Sequence, residues 1–125
     1  MEENSFKNKK NLQGRTFNFA VEIIKLLKEV KYSKENDVIK YQLAKSATSV
    51  GVNYDEAQGA YSKEDFKYKI GICFREAKES NYWLRIMKAT GILNGASLDY
   101  LVKESEEIKN IFASINKKIH YRKDV

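Results

Sequence analysis

The chain has 125 residues, of which 42% are apolar and 32% charged, a balance too apolar for a disordered chain and suited to one domain with a charged surface. Lys and Arg number 23 against 17 Asp and Glu, and the formal net charge of +6 permits attraction to phosphates without demanding it. With no proline, six glycines and a single cysteine, Cys73, an internal disulfide framework is excluded and long helices joined by short turns are favoured.

Met1 to Asn11 is polar and reads as a flexible N-terminal tail. Its Lys7, Lys9 and Lys10 are not followed by an apolar stretch, so it does not have the form of a signal peptide. No run approaches the roughly 18 apolar residues of a membrane span. The expected location is cytoplasmic, with no membrane partner.

The first helical pattern runs from about Leu12 to Val30. Phe17, Ala20, Val21, Ile24 and Leu27 share one face at 3.6-residue spacing, and this is the expected core stripe. Phe19, Ile23, Leu26 and Val30 form a second apolar arc. Asp37 is the expected N-cap of the second helix, which runs to about Gln58 with the stripe Ile39, Leu43, Ala47, Val50, Tyr54 and Ala57. Its middle, Ser46 to Gly51, is built of small residues with poor helix propensity. Their use is the close approach of a neighbour, either a helix of the same chain or an occupant of a groove.

Ser62 is a natural N-cap for the third helix, and Glu64 and Asp65 in its first turn suit the helix dipole. The helix runs from about Lys63 to Thr90, with Gly91 as the expected terminator. Its core stripe is Phe66, Ile70, Cys73, Phe74, Ala77, Leu84 and Met87. The fourth helix begins near Ser97 and carries Leu98, Leu101, Ile108, Phe112, Ile115 and Ile119. The pattern predicts an all-α domain over residues 12–120, an antiparallel up-down-up-down four-helix bundle, with residues 121–125 fraying.

Two helices carry more apolar surface than one core requires. On the third, Tyr68, Ile72, Trp83 and Ile86 lie on a different arc from the core stripe. With Phe19, Ile23 and Leu26 of the first helix they form the expected oligomer interface; the bland alternative is a wide core face with a few exposed aromatics. The third helix also has a basic arc. Lys67, Arg75, Lys78 and Arg85 fall within about 80° of each other at 100° per residue, with Tyr82 among them and the acid Glu64 on the same arc, which counts against a purely basic face. Cations beside an aromatic ring suit a phosphate backbone and a stacked base, although such an arc is also the ordinary solvated face of a helix.

Catalytic and metal chemistry lack their parts. His120 is the only histidine and Cys73 the only cysteine, too few for a zinc site or a pair of Glu-x-x-His elements. Cys73 sits on the core stripe, and no phosphate loop or nucleophile elbow is present. No catalytic residues, metal site or cofactor are expected.

The run Leu43 to Ala57, together with Ser62 to Phe66, Lys69-Ile70, Arg75 to Ser80 and Tyr82-Trp83-Leu84, resembles the bacterial four-helix-bundle family. Some of its members are encoded in intervening sequences of 23S ribosomal RNA genes. The resemblance covers about Phe17 to Ile115. It implies a bundle that assembles as a ring, typically a pentamer, and a similarity to the accessory variability proteins of diversity-generating retroelements. Those are basic, bind nucleic acid and partner a reverse transcriptase. Ser49, Asn53, Glu56, Lys69, Glu76, Glu79 and Trp83 match the family motifs, and the resemblance attaches no catalytic role to them. Packing and assembly are their expected duty, with Glu56 or Glu76 pairing with Lys69. The expected function is a non-enzymatic homo-oligomeric scaffold binding RNA or DNA through the basic arc. The alternative is a protein-interaction module or accessory subunit that makes no nucleic-acid contact.

Overall fold

The computed structural model describes residues 11–121. The polar residues 1–10 and the chain end 122–125, with most of the tail and fraying segments expected above, lie outside the described residues. Four helices follow one another: α1 (Leu12–Leu27), α2 (Lys34–Gln58), α3 (Lys63–Thr90) and α4 (Ala96–Tyr121). α1 packs on α2, α2 on α3, α3 on α4 and α4 back on α1, and across the α2–α4 diagonal Tyr54 meets Phe112 edge to face with ring centroids 5.5 Å apart. This is the expected antiparallel bundle, and α1–α4 is its thinnest seam.

The helix ends follow from capping chemistry. Asn11 Oδ1 accepts from the Gly14 amide at 2.9 Å and starts α1. The end of α1 tightens into i→i+3 bonds, from Lys28 N to Lys25 O through Val30 N to Leu27 O, so it stops at Leu27 and not Val30. α2 begins earlier than expected. Ser33, not Asp37, is the N-cap, its hydroxyl accepting from Asn36 N at 2.9 Å; Asp37 lies in the first turn, where an acid suits the dipole. Ser62 caps α3 by accepting from Asp65 N at 3.0 Å, while Asp65 reaches back to Tyr61 N. Gly91 ends α3 in the left-handed region at φ 76, with its own amide bonded to Lys88 O and that of Ile92 to Met87 O.

The core stripes of α2, α3 and α4 are those expected, with Leu43, Val50, Ile70, Cys73, Leu84, Met87, Leu98, Ile108 and Phe112 buried. α1 is turned over. Its buried residues are Leu12, Thr16, Phe19, Ile23, Leu26 and Leu27, whereas Phe17 is 66% exposed and Ile24 39%. Phe19, Ile23 and Leu26 are therefore core residues and not an outer interface. The run Leu12, Thr16, Phe19, Ile23, Leu26 and Val30 spans the whole helix and continues into the turn, so burying it covers more apolar area than burying the shorter Phe17 arc.

The small residues of α2 serve close packing inside the chain. Ser80 of α3 donates to Ser46 Oγ at 2.9 Å, and the Cys73 thiol lies 3.5 Å from the Val50 carbonyl. A Cβ on Gly51 would stand 3.3 Å from Thr16 Oγ1 of α1. The thin α1–α4 seam is pinned by Arg15, whose Nε and Nη2 donate to the two Glu104 oxygens at 2.8 and 2.9 Å and whose Nη2 also reaches Glu107 at 2.7 Å.

Among the described residues two glycines at helix ends have positive φ, Gly91 after α3 and Gly95 just before α4. Gly91→Ala is expected to lower stability by about 1–2 kcal/mol, the cost of a left-handed L-residue, in urea unfolding followed by circular dichroism. Gly59→Ala, at a helix end with φ −108 and open space around its Cβ, is the near-neutral control.

Candidate nucleic-acid interface

The outward face of α3 is set by its own core stripe. With Ile70, Cys73, Ala77 and Leu84 pointing inward, Arg75, Lys78, Tyr82 and Arg85 point to solvent, and all four are exposed. Lys67 lies on the same arc but near the N-terminal end of α3, about 27 Å from Arg85 at 1.5 Å per residue. There it borders a concavity of ≈ 990 Å³ lined by Ala57, Phe66, Lys63 and Ile119. Lys78, Tyr82 and Arg85 are thus one local cluster, with Arg75 one turn away and Lys67 apart from it.

The cluster is preorganised to different degrees. Lys78 Nζ hangs over the Phe74 ring at 5.7 Å, and the Arg85 guanidinium lies over the Tyr82 ring at 5.7 Å. Tyr82 meets Trp83 in an edge contact, with centroids 5.3 Å apart and planes at 75°. Arg85 Nε donates to Asn81 Oδ1 at 2.9 Å. Asn81 is only 4% exposed, and its Nδ2 donates to Ser105 Oγ at 3.0 Å and to the Val102 carbonyl at 3.3 Å, both on α4. Arg75 is partly neutralised by Glu76 at 3.7 Å. Among the described residues no carboxylate pairs with Lys67, Lys78 or Arg85.

The remaining α3 positions expected at an interface divide by exposure. Tyr68 is exposed, whereas Ile72, Trp83 and Ile86 are half-buried along the outer α2–α3 seam. Trp83 Nε1 donates to Glu79 at 3.1 Å. The motif residues of α2 line the same seam. Asn53 donates to the Ser49 carbonyl and hydroxyl at 2.8 and 2.9 Å, and Lys69 donates to Glu56 at 2.6 Å. Glu56 is exposed, so this pair sits at the surface and not buried between helices; its carboxylate raises the pKa of the Lys69 ammonium.

The structure adds residues that periodicity missed. Asn81, Ser105, Ser80 and Thr16 are buried polar groups on core faces, and Asn81 is the anchor of Arg85. Their signal was a polar side chain at an angle where the stripe demands an apolar one. A second apolar surface also emerges, with Phe17 and Ile24 on α1 beside Tyr41 and Val52 on α2, all exposed. Tyr41 and Ile24 share a shallow groove with Lys28 and Lys40.

Chemistry elsewhere is quiet. Cys73 is buried and desolvation pushes its thiol up to about 12, which suppresses the thiolate at neutral pH. His120 is exposed, its Nδ1 2.8 Å from the Asn116 carbonyl. Among the described residues no group of three His, Cys, Asp or Glu side chains is placed to hold a metal, and no helix is long and apolar enough to cross a membrane.

Residues 9–114 match the family described as 23S rRNA-intervening sequence protein. The chain belongs to that family. A solved relative agrees: a protein of unknown function from the S23 ribosomal protein family of Bacteroides thetaiotaomicron, whose crystal structure is known at 1.70 Å resolution. It is 32% identical, the match covers 84% of this chain and 97% of that one, and the TM-score is 0.76. No curated sequence matches. Neither the family's name nor the relative's description specifies a reaction.

Within this family member, Glu76 is the motif acid under electrostatic strain. Burial raises its pKa, the neighbouring Glu79 carboxylate adds to the rise, and Arg75 and Lys45 oppose it. A carboxyl that holds its proton more tightly folded than unfolded favours folding most when protonated, and loses that advantage as pH rises through its folded pKa. Glu76→Gln is therefore expected to raise the urea midpoint at pH 7. The gain should shrink as pH falls towards the ordinary carboxyl value of 4.5. An equal gain at both pH values would show that the Glu76 charge carries no strain.

Proposed function

We propose that this protein is a non-enzymatic, homo-oligomeric helical scaffold that binds nucleic acid through the outer face of α3. The observation that carries the reading is the pair of cations, Lys78 and Arg85, that flank exposed Tyr82 with no carboxylate to neutralise them. Arg15 is clamped by two acids, Lys69 by Glu56 and Lys88 by Asp99, whereas these two cations stand on either side of one exposed ring. Uncompensated charge at one outward site favours a polyanion over a mixed protein surface.

Self-association is supported by the apolar surface left outside the core. Phe17, Ile24, Tyr41 and Val52 form one face on α1 and α2, and Tyr68, Ile72, Trp83 and Ile86 form another on α3. Two unlike faces on one chain suit a head-to-tail interface, and a head-to-tail interface that closes makes a ring. Five copies is the number the family resemblance supplies. A ring repeats the α3 cluster and gains avidity from a modest single site. A reverse transcriptase, the partner of the retroelement proteins that this family resembles, is the protein class to test for association. If the α1–α2 face engages a different protein, the chain is instead an interaction module.

The reading is tested by anisotropy with labelled structured RNA and duplex DNA across a salt series. Affinity is expected to fall steeply, with log K losing roughly 0.7–0.9 per phosphate contacted for each tenfold rise in salt. Lys78→Glu with Arg85→Glu is expected to weaken binding at least tenfold, on the order of two lost charge-assisted contacts. Absence of binding at low salt would discard the nucleic-acid role and leave the interaction module. Sedimentation velocity on Ile24→Lys with Phe17→Glu tests assembly, since an α1–α2 interface predicts a shift to monomer.

A further inference from the structure

We propose that Tyr82 and Arg85 form a nucleotide subsite for an unpaired base and its phosphate, so that the α3 face prefers single-stranded nucleic acid to duplex. This rests on the nucleic-acid reading above and narrows its ligand.

The argument starts from Asn81. A buried amide on α3 carries a desolvation cost unless its groups are paired. Here the Nδ2 side is spent on α4, at Ser105 and Val102, and the oxygen turns outward to take Arg85 Nε. The guanidinium is therefore tied to two helices through one side chain. A guanidinium has five N–H donors, and spending Nε on Asn81 leaves both Nη groups for an incoming ligand. A planar, fixed fork suits the paired oxygens of a phosphate better than a mobile ammonium does. The other two arginines among the described residues, Arg15 and Arg75, already face carboxylates.

Tyr82 supplies the second part. Tyr82 is 48% exposed, and its ring is steadied by the edge contact with Trp83 and by the guanidinium above it. Lys78 stands one turn before it on the same face. An aromatic ring flanked by cations one turn to either side is a stacking platform with a phosphate contact on each side. The ring stands on the convex face of a helix. A duplex hides the π-faces of its bases inside the stack and offers such a ring only backbone, whereas an unpaired strand offers the base itself.

Trp83 gives this subsite a built-in reporter. It is the only tryptophan in the chain and it touches Tyr82. The experiment titrates the full chain at low salt with a pyrimidine-rich single-stranded RNA and with a hairpin duplex of equal length, reading Trp83 fluorescence and anisotropy together. The expected result is tighter binding of the single strand with a change in Trp83 emission that the duplex does not produce. Tyr82→Ala should lose about tenfold in single-strand affinity and leave duplex affinity unchanged, while Tyr82→Phe keeps both. Arg85→Lys, which keeps charge and loses the fork, should weaken the single strand several-fold. Equal affinity for both polymers, no change in emission and no effect of Tyr82→Ala would overturn the subsite. If Lys78→Glu with Arg85→Glu still weakened both polymers in that case, the broader charge-based reading would stand. Failure of either polymer to bind at low salt would overturn both.

Discussion

The hydroxyl of Ser80 against that of Ser46, at 2.9 Å, sets how near α3 comes to α2, and much of the bundle follows from that distance. Helices of ordinary side chains pack 8–10 Å apart, and small residues take the lower end of the range. Here the small run of α2 works on two sides. Ser46 and Ala47 meet the α3 side of the core, and Gly51 lets Thr16 of α1 approach until a single methyl would crowd it. The hydroxyls cost little in the interior because each is spent locally, Ser46 on the Leu43 carbonyl and Thr16 on the Leu12 carbonyl. α2 is consequently the packing centre of the bundle. α4 is tied to all three of the others: it meets α3 through Asn81 and Ser105, α1 through the Arg15 clamp, and α2 through the edge contact of Phe112 with Tyr54.

That arrangement explains which surfaces are left over. α3 is held on one side by α2 and on the other by α4, so only its outermost arc is free, and in the middle of the helix that arc carries Arg75, Lys78, Tyr82 and Arg85. α1 is the shortest helix and is the most lightly held, by α2 and by a thin seam with α4. Its outer face keeps Phe17 and Ile24, and the neighbouring face of α2 keeps Tyr41 and Val52. Apolar surface left outside a core is informative when it is contiguous. The α1–α2 face thus combines apolar residues with Lys28 and Lys40, while the outer arc of α3 sets unpaired Lys78 and Arg85 around Tyr82. The Ile72, Trp83 and Ile86 seam lies beside the charged arc, so an assembly built on it would set that arc near the joint between neighbouring copies.

The architecture was legible in the sequence because each of α2, α3 and α4 has one dominant stripe and clear terminators. Ser62 and Gly91 were read to the residue, since N-cap hydroxyls and left-handed glycines act locally. The facing of α1 was not legible from apolar content alone. Phe17, Val21 and Ile24 compete with Phe19, Ile23 and Leu26, and both arcs have helical spacing. The choice lies in continuity, because the arc that includes polar Thr16 runs from Leu12 to Val30 while the other stops short. Counting Thr16 as a core residue requires knowing that Gly51 will meet it, and that is a contact between helices. For the same reason the α3 arc could be drawn from periodicity, but its internal differences could not. The acid beside Arg75, Glu76, is visible in the sequence, but the anchoring of Arg85 is not, because it arises only when Asn81 finds Ser105 on α4.

Placing a buried amide behind a surface arginine links the outer cluster to the core it grows from. Asn81 satisfies its donors only when α4 is docked, and only then is its oxygen held in place for Arg85. A lone surface arginine loses rotamer freedom each time it binds, whereas one already bonded through Nε has surrendered part of that freedom during folding. The folding energy of the α3–α4 seam thereby lowers the ordering cost at the surface. Lys78, held only by a cation–π contact with Phe74 on its own helix, has no such support. The two cations beside Tyr82 thus have different physical roles: Lys78 supplies mobile charge and attraction at a distance, and Arg85 supplies a directed contact whose geometry is set from inside the bundle.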